Sequence, residues 1–265
     1  MKSRIWLGAA ALLCTGNVLA APALQIESSE SKDGIAGEIH ATVQQPFGMA
    51  AAALRDPAHW CEILMLHLDT KECHVVSVGG NTIVNVGVVR KYDQPASSAY
   101  RVSFGYRREE DTASSLQVRL DADTGPLGTS NYHIRLEAAP AADGSTSIYM
   151  SYSYSYGVIA RIAMQAYLAT FGRNKVGFTV VGAESDGRPR YIGGIRGVVE
   201  RNTMRYYLAV EAWLDAMALP AEARAEKSLR NWYSAIERFP RQLHEMAEGD
   251  YLAMKRVEFR GTFVR

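Results

Sequence analysis

Between Ala99 and Tyr156 apolar and polar residues alternate with a period of two, segment after segment, and no other pattern in the chain restricts its fold as strongly. Tyr100, Val102, Phe104 and Tyr106 share one parity, against Arg101, Ser103 and Arg107. Leu116, Val118 and Leu120 repeat the pattern, as do Tyr132, Ile134 and Leu136. In the last segment Ile148, Met150, Tyr152, Tyr154 and Tyr156 share a face opposite Ser151, Ser153 and Ser155. Successive side chains of a strand point to opposite faces, so this alternation predicts an antiparallel sheet with one wet and one covered face. Cys73 to Val78 and Thr82 to Lys91, joined at Gly79-Gly80-Asn81, add two more strands, making a meander of about six.

Helical signals flank the meander. Ile35 to Gln44 reads as a first strand and Phe47 to Leu54 as an Ala-rich helix. A second helix starts with Asp56 as N-cap and Pro57 at its first position, where a missing N–H costs nothing, and it carries Trp60, Ile63, Leu64 and Leu68. After Tyr156 the period lengthens. Val158, Ile159, Ile162, Ala163, Ala166 and Tyr167 suit the apolar face of a helix that Gly172 ends. A glycine-punctuated stretch from Gly177 to Gly194 turns at Asp186-Gly187, and helices follow from Ile195, from Pro220 and beyond Pro240. The fold class expected is α+β, with helices gathered against an antiparallel sheet.

The first 20 residues look like a secretory signal: Lys2 and Arg4, an apolar run from Ile5 to Leu13, and small residues up to Ala20. The run is too short for a spanning helix, which needs about 20 apolar residues. Cleavage after Ala20, with Ala23 as a second option, removes Lys2 and Arg4 and takes the formal charge from +1 to −1. That balance argues against a nucleic-acid partner, and the expected location is periplasmic or secreted. Residues 21–34 read as a polar lead and 35–265 as a single domain. Cys61 and Cys73 survive processing; an even number in an exported chain favours a disulfide over a pair of buried thiols.

The residues Glu38 to Val43, Gln45-Pro46-Phe47, and Leu54-Arg55-Asp56-Pro57 with Trp60, taken with the element order, resemble the opening of the START and polyketide-cyclase-like (SRPBCC) superfamily. The resemblance implies a helix-grip fold, in which a curved antiparallel sheet packs on C-terminal helices around a deep apolar cavity. This chain departs from the family pattern by carrying several segments after Tyr156 instead of one long helix.

No G-x-S-x-G, H-E-x-x-H, P-loop or G-x-G-x-x-G motif is present, and two isolated cysteines with scattered histidines do not make a metal set. No cofactor is expected. His59 and His67 fall two turns apart on the second predicted helix and, like His133, read as surface or capping histidines. The cavity candidates are Phe104, Tyr106, Met150, Tyr152, Tyr154 and Tyr156, whose amphipathic rings suit an apolar ligand. Arg201 and Arg205, one turn apart, are candidates for its polar end, although with Arg196 and Glu200 they suit a solvated face with ion pairs along the helix better. The function expected is non-covalent binding of a hydrophobic small molecule or lipid. An enzyme pairing a tyrosine with Glu184 or Glu200, and an envelope interaction protein with a solid core, are the alternatives.

Overall fold

A computed structural model describes residues 24–170 and 172–263; the signal segment 1–20 lies outside the described residues. Strands β1 (Gln25–Glu30) and β2 (Gly34–Val43) are followed by helices α1 (Phe47–Leu54) and α2 (Pro57–Leu64). The meander comprises β3 (Thr70–Val78), β4 (Asn81–Val88), β5 (Tyr100–Asp111), β6 (Leu116–Thr124), β7 (Thr129–Pro140) and β8 (Thr146–Tyr156). Then come α3 (Val158–Ala169), a hairpin of β9 (Val180–Ala183) and β10 (Pro189–Tyr191), and α4 (Gly194–Leu214). Helices α5 (Ala221–Ile236), α6 (Pro240–Leu243) and α7 (Glu248–Phe263) complete the chain.

The main sheet has the order β1-β2-β8-β7-β6-β5-β4-β3, antiparallel throughout. Register shifts in β3, at Arg108/Glu110 and at Ser130/His133 place one strand's extra residue against its partner. Such bulges raise the local twist and curve the sheet. Its covered face carries the predicted alternation: every second residue of β8, from Thr146 to Tyr156, is buried. The N-cap reading of α2 holds, since the Asp56 carboxylate accepts from the Ala58 N–H at 2.8 Å with Pro57 beside it. Gly79 and Gly80, both at positive φ, close the β3–β4 turn.

Helix α4 lies on β1, β2 and β8. The helix can sit this close because β2 has glycine at position 37: a Cβ there would stand 2.3 Å from Thr203 Oγ1. Behind α4, the helices α2, α5 and α7 bury Trp60, Trp213, Trp232 and Tyr251 almost completely. Each indole N–H is satisfied: Trp60 donates to Leu54 O, Trp213 to Glu62 and Trp232 to Arg205 O. Cys61 in α2 and Cys73 in β3 are joined in a disulfide.

Two expectations change. The polar lead contains β1, an edge strand paired residue for residue with β2 from Gln25↔His40 to Glu30↔Ile35. An edge strand with a solvated face has no need of apolar alternation, so its sequence looked like a lead. The apolar face expected for α3 is turned outward: Val158, Ile159 and Ile162 are 74%, 85% and 60% exposed. Ala160, Met164 and Leu168 pack on the core instead. The helix is apolar nearly all round, so periodicity could not say which side faces inward.

Candidate functional site

Period-two geometry puts Tyr152, Tyr154 and Tyr156 in a line on the covered face of β8, and register sets Tyr132 of β7 and Phe104 of β5 beside them. Tyr132 stacks on Tyr154 at 5.2 Å between ring centroids, Tyr152 lies 5.7 Å from Tyr154, and Phe104 meets Tyr132 edge-on at 6.5 Å. The wall crosses to α4, where Tyr206 is 5.3 Å from Tyr152, and ends where Tyr206 stacks on His67 at 5.1 Å. At its other end the Tyr156 hydroxyl donates to Glu30 at 3.3 Å.

These hydroxyls are unevenly satisfied. That of Tyr132 shares a 2.7 Å hydrogen bond with Thr129. Among the described residues, none hydrogen-bonds to the hydroxyls of Tyr152, Tyr154 or Tyr206. Burial pushes all three well up from the ordinary phenol range. Tyr206 keeps an intermediate accessible surface.

His67 and Asp69 stand at the inner end, on the segment between α2 and β3. The Nδ1 of His67 accepts from the Asp69 backbone N–H at 3.2 Å. Burial, reinforced by Arg205 and Lys255, drives the imidazole well below its usual pKa, so the ring is neutral. With Nδ1 accepting, the ring proton is assigned to Nε2, a buried donor without a partner among the described residues. No hydrogen bond or ion pair from the described residues reaches the Asp69 carboxylate, and burial raises its pKa against the pull of Arg205 and Lys255. Its charge also acts on the Tyr206 hydroxyl.

The segment is clamped. The Cys61–Cys73 bond closes it, the Tyr251 hydroxyl donates to Leu66 O at 2.9 Å, and Lys255 Nζ donates to Thr70 O at 2.7 Å. Desolvation takes Lys255 down to about 8 even with Glu258 at 2.8 Å.

Of the sequence candidates, Phe104, Tyr152, Tyr154 and Tyr156 meet in the wall. Tyr106 is tied down, its hydroxyl donating to Arg55 O at 2.8 Å, and Met150 is packed in the core. The solvated face expected for Arg196 to Arg205 does not exist: Glu200, Arg201 and Arg205 are buried. Arg201 and Arg205 pair with Glu245, beyond α6, and donate to the carbonyls of Gln242 and Leu243. Burial, with Arg205 adding to it, lowers Arg201 to about 10. Glu200 accepts from the Phe178 and Thr179 N–H groups, the Thr179 hydroxyl and Ser28, which fixes the hairpin and β1 instead of serving a tyrosine. Glu184 is exposed on the hairpin. Alternation could have found Tyr132. His67 reads from the sequence as a surface or capping group, but it is buried. Asp69 carried no signal, because only the meeting of α2, α4 and α7 encloses it.

Two surface clefts lie elsewhere. One of about 470 Å³ runs between the end of β2 and α4–α5 at Glu211 and Arg238; another of about 570 Å³ lies between the Tyr92–Ala96 loop and α7. Neither touches the tyrosine wall.

Strand β2 pairs with β8, helices α1 and α2 lead from β2 to β3 at the far edge, and the long helix α4 lies on the sheet. The chain has the helix-grip fold. This is the fold that the sequence resemblance to the START and polyketide-cyclase-like superfamily implied. No family model and no curated protein matches the chain. Solved structures similar to it include norcoclaurine synthase from Thalictrum flavum in complex with dopamine and hydroxybenzaldehyde, at 14% identity and TM-score 0.36 over 63% of this chain and 90% of that one. Ara h 8.0201 is similar at 12% and 0.38 over 72% and 99%. The Zhui aromatase/cyclase from Streptomyces sp. R1128 is similar at 12% and 0.35 over 78% and 95%.

Proposed function

We propose that the protein binds a hydrophobic small molecule or lipid against the tyrosine wall, between the sheet and α4, after export from the cytoplasm. One observation carries the reading. His67 Nε2 is buried without a partner among the described residues, and no described residue hydrogen-bonds the hydroxyls of Tyr152, Tyr154 and Tyr206 or the Asp69 carboxylate beside the aromatic wall. A buried polar group left unmet costs about 1–3 kcal/mol, which is at odds with a plain structural core. Aromatic walls with a few convergent polar groups are the composition of small-molecule sites. Burying ligand surface there contributes roughly 25 cal/mol per Å² before the costs of association.

The test is native mass spectrometry and organic extraction of the protein purified from its own compartment. A stoichiometric apolar molecule, lost in Tyr152→Ala/Tyr206→Ala, supports the reading; a protein without one that also fails to take up apolar probes overturns it. Amino-terminal sequencing of the same sample tests export, with Ala21 expected as the first residue.

A further inference from the structure

We infer that the outward face of α3 docks the protein onto an anionic lipid surface, from which an apolar ligand is taken up or to which it is returned. The docking stands on α3 itself, and only its service to a ligand rests on the binding function proposed above.

Large apolar side chains on one face of a helix ordinarily form its buried stripe. In α3 they face solvent: Val158 is 74%, Ile159 85% and Ile162 60% exposed. Ile159, Ile162, Ala166 and Ala169 recur at spacings of three and four and are all exposed, so the stripe runs the length of the helix. Leu127 extends it, since α3 lies beside the turn at 126–128 and Leu127 is 63% exposed. The β7–β8 register sets Thr129 opposite Tyr156. Leu127 and Val158 therefore sit at the same end of the sheet, the end at which Tyr156 closes the tyrosine wall.

Charge selects the occupant. From Gly157 to Ala183 the chain carries Arg161, Arg173 and Lys175 and no acidic residue. Lys175 is paired with Glu245 at 3.0 Å. Lys32 adjoins the helix, its carbonyl accepting from Arg161 at 3.3 Å, and Asp33 offsets its charge. Glu30 accepts from the Tyr156 hydroxyl, and Asp123 has the parity of the opposite, wet face of the sheet. Arg161 and Arg173 remain, one near each end of the apolar stripe. An apolar helix face flanked by arginines suits the headgroup boundary of an anionic membrane, where the stripe enters and the guanidinium groups stay at the phosphates. A second copy of the chain fits less well. A helix of 12 residues is ~18 Å long, and a strip ~10 Å wide along it falls far short of the roughly 800 Å² per partner of a stable interface. It would also bring the arginines of both copies together.

The test is flotation of the protein, purified from its own compartment, with vesicles of equal parts phosphatidylethanolamine and phosphatidylglycerol, and with vesicles of phosphatidylcholine alone. The protein should float with the first, and Ile159→Ser/Ile162→Ser should lower its partitioning roughly tenfold or more, as loss of two apolar side chains from the lipid implies. Both residues are exposed, so the melting temperature should not change. Arg161→Gln/Arg173→Gln should remove most of the preference for the anionic vesicles. A wild-type protein that does not float, or a serine variant that floats equally well, overturns the docking. A wild-type dimer in sedimentation velocity that the serine variant dissociates also overturns it, by assigning the face to a second copy. Uptake of an apolar probe from solution separates the two proposals: its loss with flotation intact removes the binding function and leaves the docking, and the reverse result removes the docking alone.

Discussion

Breaking the Cys61–Cys73 bond should cost the fold about 3 kcal/mol, and the figure follows from where the bond sits. It links α2 to β3 across a sequence separation of 12. Chain-entropy reasoning for a loop of this size gives about 3 kcal/mol at 25 °C, because the bond removes conformations from the unfolded chain. Both cysteines are buried at 1% exposure, so Cys61→Ala/Cys73→Ala adds only a small packing loss to the entropic one. Urea unfolding followed by tryptophan fluorescence is the assay. With a slope of about 2 kcal/mol per molar, the midpoint should fall by roughly 1.5 M without a large change in slope. Ligand uptake should persist in native conditions, since Tyr251 and Lys255 hold the bridged segment independently through Leu66 and Thr70. An unchanged midpoint would refute the reasoning. So would faster hydrogen exchange confined to residues 62–72, which would mean that the bond acts on the native segment and not on the unfolded chain.

Glu245→Gln should cost about 3–5 kcal/mol in the same assay, because it leaves Arg201 and Arg205 buried without their anion; a loss below about 1 kcal/mol would show that they reach water. Gly37→Val should cost about 1–3 kcal/mol by forcing α4 off β2 at Thr203, and an unaffected melting temperature would contradict the close approach. For His67 the folded pKa lies below the unfolded one, so the unfolded chain binds the extra proton. Its contribution is therefore present above pH about 6.5 and lost as pH falls toward the folded pKa, at up to about 1.4 kcal/mol per pH unit. His67→Phe should flatten the acid limb of stability against pH. Asp69, shifted upward, works in the opposite sense, so Asp69→Asn should steepen that limb. An identical acid limb in all three proteins would show that neither group titrates in its buried setting.

Period-two alternation was enough to give the sheet, its covered face and the tyrosines of β8, because strand geometry forces side chains apart at every residue and a half-buried surface must show it. The Asp56-Pro57 start of α2 was legible for a similarly local reason: a cap and a fixed φ act within one turn. The cysteines needed only their even number and the expectation of export. The orientation of α3, the strand character of Gln25–Glu30 and the burial of Arg201 and Arg205 were decided by tertiary structure. In each case the deciding partner is distant in sequence: the core side of α3, the β2 edge, or Glu245 beyond α6. The inner end of the site belongs to this second group most completely. His67 and Asp69 acquire their unpartnered, desolvated state only because α2, α4 and α7 close around one short segment, and desolvation is a property of the assembled interior that no local pattern encodes.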